Sequence, residues 1–183
     1  MAIPKKVLNY LDKAKAKYEV ISHKTVYTAH DLAATLKEKM NNIAKTLLVK
    51  VDKKYILIVL PAHKRLDLVA LKKYYKAKKA EIVKEGMMKK LFNIKPGTLT
   101  PFGALHKVDV LFDKTLARAD KMVVRAGSYT DSLRVKIKDL MELEDVAVAS
   151  VGKLIKLRKT QKAKKPAFAK ATAGRQKNKK SKK

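Results

Sequence analysis

Cysteine is absent from all 183 residues. That excludes a disulfide framework, a thiolate nucleophile and any cysteine-based metal site, and it fits a cytosolic protein. No stretch approaches the roughly 18 apolar residues of a membrane-spanning helix. The opening Met1-Ala2-Ile3-Pro4-Lys5-Lys6 lacks the apolar run of a signal peptide. The expectation is a soluble, cytoplasmic protein with no membrane partner. Familiar catalytic signatures are missing too. There is no Walker A loop, no dinucleotide-binding GxGxxG and no Gly-x-Ser-x-Gly, which Ala126-Gly127-Ser128-Tyr129 does not match. The four histidines, His23, His30, His63 and His106, show no ligand spacing, so no metal is expected. The 16 carboxylates are too sparse to nominate an acid–base pair. An enzyme with this sequence works without a conventional nucleophile, metal or cofactor.

What the chain has instead is positive charge. It carries 45 Lys and Arg against 16 Asp and Glu, a net charge of +29. Residues 153–183 hold 14 of the basic residues and no acid, and they read as a disordered polybasic tail. The preceding 152 residues remain strongly basic without it. A polyanion is the expected partner, nucleic acid first. A lysine-rich composition also leaves many lysines merely solvated. Aromatics near the tail and helices, Phe168 and Tyr74-Tyr75, are too few to argue base stacking.

The apolar fraction of 46% supports one real core. Residues 4–17 read as an amphipathic helix opened by Pro4, with Val7, Leu8, Leu11 and Ala14 on one stripe. A strand over 19–22 precedes a helix that Thr28 caps, with Asp31 three residues on, and that Met40-Asn41-Asn42 closes. Residues 44–51 and 55–60 form a hairpin around Asp52-Lys53-Lys54. Asp67 caps a helix from Leu68 to about Tyr75. Further short strands at 80–83, 108–112, 122–124, 133–137 and 146–150 alternate with a helix over 87–93, a helical turn over 114–119 and a helix over 139–143. This order is not strict βαβ, so the expected class is α+β, around a compact mixed sheet or barrel-like core with surrounding helices. The expected division is a body of residues 1–152 and a tail of residues 153–183.

Two features invite chemistry. Lys45 shares a strand face with Leu47, Val49 and Val51. A lysine there either snorkels out at the strand's end or meets an anionic partner in a cleft, and the pattern leaves both open. The other feature is Lys95-Pro96-Gly97-Thr98-Leu99-Thr100-Pro101-Phe102-Gly103, where two prolines and two glycines forbid a helix interior or central strand. It is either an ordinary connection or a shaped loop whose Thr98, Leu99 and Thr100 amides point at an anion or a polarised carbonyl.

Ala44-Lys45-Thr46-Leu47-Leu48-Val49, Leu60-Pro61-Ala62-His63-Lys64-Arg65-Leu66-Asp67-Leu68, Gly97 to Gly103, and Ala126-Gly127-Ser128 together resemble the YbaK/ProX family of aminoacyl-tRNA editing domains. The resemblance covers about residues 4–150 in order. Its specific parts are the Lys-Thr-Leu strand and the Gly-x-x-x-Pro loop. It implies hydrolysis of the ester joining a wrong amino acid to the 3′-terminal adenosine of a tRNA, with no cofactor and no metal. By the same resemblance Lys45 and the loop Gly97, Thr98, Leu99, Thr100 and Pro101 carry the reaction. Tyr27, Thr28, His30, Phe102, Gly103, Gly127, Ser128 and Asp131 then surround the substrate, although helix capping and packing explain Tyr27, Thr28 and His30 equally well. Some editing members carry an aspartate near position 132, where this chain has Asp131 before Ser132. The implied partners are the 3′ acceptor end of an aminoacyl-tRNA and an aminoacyl-tRNA synthetase, met by a monomer acting in trans. Small amino acids, alanine or cysteine, are the expected substrates, with proline tRNA as a carrier. The rival expectation is a non-catalytic module that binds tRNA, a synthetase or the ribosome on the same fold.

Overall fold

The computed structural model describes residues 2–155. The expectation of a disordered tail falls, from residue 156 on, outside the described residues.

Pro4 leads into helix α1 (Lys5–Lys13), which buries Val7 and Leu11. The apolar stripe predicts a longer helix. It stops at Lys13 because Lys15 turns left-handed (φ 52°) and the Ala16 amide closes onto Leu11 O at 3.0 Å. Strand β1 (Tyr18–Ser22) leads to α2 (Ala29–Leu36). The Thr28 hydroxyl accepts from the Asp31 amide and the Asp31 carboxylate from the Thr28 amide, the predicted capping box. Helix α2 ends with Lys37 left-handed, so Met40–Asn42 is a separate 3-10 turn rather than its close.

The hairpin follows as β2 (Ala44–Val51) and β3 (Lys54–Pro61), antiparallel around Asp52 and Lys53. Then come β4 (Lys64–Leu66), α3 (Leu68–Tyr75), β5 (Ala80–Ile82) and α4 (Glu85–Phe92). The Asp67 carboxylate accepts from the Val69 and Ala70 amides at the start of α3. The rest is β6 (Asp109–Asp113), β7 (Lys121–Arg125), β8 (Asp131–Lys136), α5 (Ile137–Glu144), β9 (Ala147–Ala149) and β10 (Gly152–Leu154).

Five strands form one mixed sheet in the order β5-β2-β3-β6-β9, with β6 parallel to both neighbours. A second, antiparallel sheet runs β1-β8-β7, and β10 pairs with β4. A single parallel bridge, Ile43 to Val123, links the two larger sheets. The barrel-like expectation is corrected here: among the described residues no ladder closes on itself. Closure needs pairing all the way round, and the main sheet ends in the three-residue strands β5 and β9.

Alternation along the hairpin builds a core on each side. Ala44, Leu48, Leu57 and Val59 pack with Val7, Leu11, Phe102, Phe112 and Leu133. Val49, Val51, Ile56, Ile58 and Leu60 pack with Leu66 and Leu71. Burial on both faces explains the unbroken apolar run Ile56–Leu60 in β3.

Candidate active site

The main sheet is open along one stretch of β2. Strand β5 pairs only with Val49, Lys50 and Val51, and its last contact is the Val83 amide on Leu48 O at 2.9 Å. Alternate residues of a strand send their amide and carbonyl to the same side. The Thr46 peptide therefore faces the edge that β5 has left uncovered. A cavity of about 250 Å³ occupies this gap, lined by Lys45, Thr46 and Leu47 of β2, Ala29 and Leu32 of α2, and Met88 of α4. Its wall also includes Glu85 of α4, Ile82 and Val83, Gly97 and Leu99 of the loop, and Arg125 of β7.

Lys45 is half-buried at this edge, and its ammonium donates to Ala62 O at 3.3 Å. Among the described residues no carboxylate lies within ion-pair distance of it. Burial lowers its pKa from the ordinary lysine value. Arg125 is only 6% exposed. Its guanidinium donates to Val26 O at 3.3 Å and Thr28 O at 3.1 Å, and burial lowers its pKa, opposed by the field of Asp31. Sequence reasoning missed Arg125. Its signal was a lone charge closing the apolar run Met122-Val123-Val124 just before the Ala126-Gly127 turn.

The loop turns at Gly97, with φ 74°. A Cβ there would lie 2.6 Å from Tyr27 O, so only glycine fits. The Tyr129 hydroxyl donates to Pro96 O at 2.8 Å and steadies the turn. The Thr98 amide, expected to be free for substrate, closes instead onto Lys95 O at 3.2 Å. The Leu99 and Thr100 amides donate to no protein group among the described residues. The side chains then alternate. Gly97 and Leu99 face the Lys45 cavity, whereas buried Thr98 and Thr100 line a second cavity of about 210 Å³ with Pro4, Lys6, His106 and Gly127. The Thr100 hydroxyl is buried without a partner among the described residues.

The remaining predicted residues divide. Tyr27 is 63% exposed beside the loop, its ring 5.1 Å from that of Tyr129. Thr28 caps α2 and gives its carbonyl to Arg125, and His30 is exposed on the first turn of α2. Pro101 and Phe102 are buried, Phe102 packing 5.8 Å from the Tyr10 ring. Gly103 sits where a Cβ would lie 2.3 Å from Val108 O. Ser128 and Asp131 lie outside the lining of the Lys45 cavity, in a polar knot where Ser22, Ser128 and Thr130 hydroxyls all donate to the Asp131 carboxylate. Among the described residues no three His, Asp or Glu side chains gather as a metal site, and no helix is long and apolar enough to cross a membrane.

The arrangement offers an ammonium and a guanidinium to a small, mostly apolar space that Gly97 and Leu99 help to wall. The family model described as an aminoacyl-tRNA editing domain matches residues 23–143. The prolyl-tRNA editing protein ProX of Acetoanaerobium sticklandii is 26% identical over 143 residues, covering 75% of this chain and 87% of that protein. A proline–tRNA ligase of Macrococcus caseolyticus is 27% identical over 102 residues, 56% of this chain but only 18% of the ligase. Among solved structures, the hypothetical protein APE2540 superposes with a TM-score of 0.76 at 20% identity, over 81% of this chain and 99% of that one.

Proposed function

The chain belongs to the YbaK/ProX-like aminoacyl-tRNA editing domain family, and from that premise we propose that it is a metal-independent deacylase acting in trans. It hydrolyses the ester between a wrong amino acid and the 3′-terminal adenosine of a tRNA. The observation that carries this reading is that Lys45 and the Gly97–Leu99 turn line one cavity, although more than fifty residues separate them in the chain.

The chemistry asked of the residues is modest. An ester carbonyl becoming tetrahedral gathers negative charge on oxygen, and amide donors aimed at that oxygen lower the barrier. The Leu99 amide, on the loop residue that lines the cavity, is the candidate. Lys45, held by Ala62 O, is a point charge for a phosphate or sugar oxygen of the terminal nucleotide. The ester is already labile, so fixing it against a water, with help from the tRNA's own 2′-hydroxyl, supplies much of the rest.

The cavity's size and its Leu32, Leu47, Met88 and Leu99 walls suit a small side chain and reject larger ones by overlap. Alanine or cysteine mischarged on a proline tRNA is the proposed substrate. The basic surface adds affinity for the acceptor stem, with strong salt dependence. The Ile155 amide donates to His63 O at 3.2 Å, so the chain leaves toward its polybasic end beside the turn that holds Lys45. The test is a panel of tRNAs charged with alanine, serine or cysteine. Release of one small amino acid, unaffected by chelator, is the expected result. Binding of tRNA with no hydrolysis of any member would leave a binding module on the editing fold.

A further inference from the structure

The proposed reaction uses Lys45 and the Leu99 amide, and it leaves Arg125 without a task. Arginine has five N–H donors. Here two backbone carbonyls, Val26 O and Thr28 O, are its only acceptors among the described residues. It is more than nine-tenths buried and lines the same cavity as Lys45. Among the described residues no carboxylate lies within ion-pair distance of it. Asp31 acts on it only through space, because its carboxylate is taken up by the Thr28 amide.

The same fold treats its other strand arginine differently. Arg134, on the neighbouring strand β8, is more exposed and still has two acids, Glu38 at 3.0 Å and Glu19 at 3.9 Å. Removing a guanidinium from water is costly unless a charge and hydrogen bonds replace the water. At Arg125 the fold supplies carbonyls and no charge. Glu85, at the start of α4, is the one acid among the cavity's lining residues, and it makes no ion pair with Arg125.

We propose that Arg125 is a second anion-binding residue of the Lys45 cavity, holding a negatively charged oxygen of the bound acylated 3′ end. The inference rests on the editing reading for the identity of the ligand. Two oxygens carry the required charge: one on the 5′-phosphate of the terminal nucleotide, and the oxyanion that forms on the ester carbonyl. A planar fork fits either.

The test uses the full chain, with Arg125→Gln and Arg125→Lys, and two kinds of probe. The first compares AMP with adenosine, which differ by the phosphate alone, in binding titrations followed by NMR. The second measures kcat and KM on an acylated minihelix. A phosphate role predicts that wild type prefers AMP by about tenfold or more, the scale of one charge-assisted hydrogen bond. Arg125→Gln then lowers the preference by about that factor while adenosine binds as before, Lys45 supplying what remains. An oxyanion role predicts a preference that Arg125→Gln leaves unchanged. In that case Arg125→Gln lowers kcat by about 100-fold at nearly constant KM, and added guanidinium ion or the Lys variant restores part of it. A strap that merely holds Val26 and Thr28 weakens AMP and adenosine in equal proportion, leaves any loss of kcat beyond rescue, and overturns the proposal. So does a variant that behaves as wild type in both assays. If Arg125→Gln fails to fold, Arg125→Met, which keeps the length of the side chain and removes its charge, carries the same comparison. Absence of hydrolysis by wild type would refute the editing reading, whereas the AMP-to-adenosine ratio still scores Arg125.

Discussion

Lys45 and Lys64 flank one turn and are used in opposite ways. Lys64, first residue of β4, reaches Asp113 at 3.0 Å and the Thr115 hydroxyl. Asp113 is fully buried and also accepts from the Thr115, Val151 and Gly152 amides. That knot ties β6, β4 and the approach to β10 together with every charge matched. Lys45, on the other side of the turn, has one carbonyl and, among the described residues, no acid. A matched buried charge holds a fold together. An unmatched one at a cavity keeps its strongest interaction for whatever enters. The contrast separates a structural cation from the one proposed to meet the substrate, where sequence shows only two lysines in lysine-rich surroundings.

Lys64→Met leaves Asp113 buried without its cation, and equilibrium unfolding should show a loss of about 3 kcal/mol or more. Deacylation should fall only with the folded fraction. Lys45→Ala should do the reverse, lowering kcat/KM for mischarged tRNA by about 100-fold, the scale of one lost transition-state donor, with an unfolding midpoint at or above wild type. Gly97→Ala should impair both. The new Cβ meets Tyr27 O and the backbone must leave φ 74°, at a cost of about 1–3 kcal/mol and with the cavity wall displaced. Thr100→Val should be nearly silent in both assays, because it replaces a buried hydroxyl that has no partner among the described residues with a group of similar shape.

The two sites also differ in pH. At Asp113 burial raises the pKa, but Lys64 and the Gly152 and Thr115 amides outweigh it and leave the carboxyl below its ordinary value. Its contribution to stability is complete above the ordinary aspartate pKa of about 3.9 and is lost as pH falls through the lowered folded value. Lys45 is lowered by burial, so activity that needs its ammonium should decline on the alkaline side before the ordinary lysine pKa of about 10.4. The difference in acid unfolding between wild type and Lys64→Met should therefore report Asp113, and the alkaline limb of the kcat/KM profile should report Lys45.

Local chemistry was readable without coordinates. Thr28 with Asp31, Asp67 before Leu68, and the Asp52-Lys53 turn announce two helix starts and a hairpin, because each rests on hydrogen bonds spanning two or three residues. Pairings between distant segments were not readable. Nothing in 109–113 marks it as the parallel neighbour of β3, and the insertion of β8 between β1 and β7 depends on packing across the whole body. The same limit holds at the site. The Lys45 strand and the glycine loop stand out as motifs, but the division of the loop into a Gly97/Leu99 side and a Thr98/Thr100 side appears only once the chain is folded. Arg125 hides in an apolar strand because its meaning lies in the acid it lacks, and one strand read alone does not show which acids surround it.

On the proposed reading the cation at the β2 edge serves the reaction and the matched one serves the fold. The most direct test measures deacylation and unfolding side by side for wild type, Lys45→Ala and Lys64→Met. The account predicts a crossed result: Lys45→Ala folds like wild type, binds tRNA and does not release the amino acid, while Lys64→Met unfolds early yet hydrolyses normally when folded. Full activity in Lys45→Ala, or a loss of stability there as large as in Lys64→Met, would contradict it.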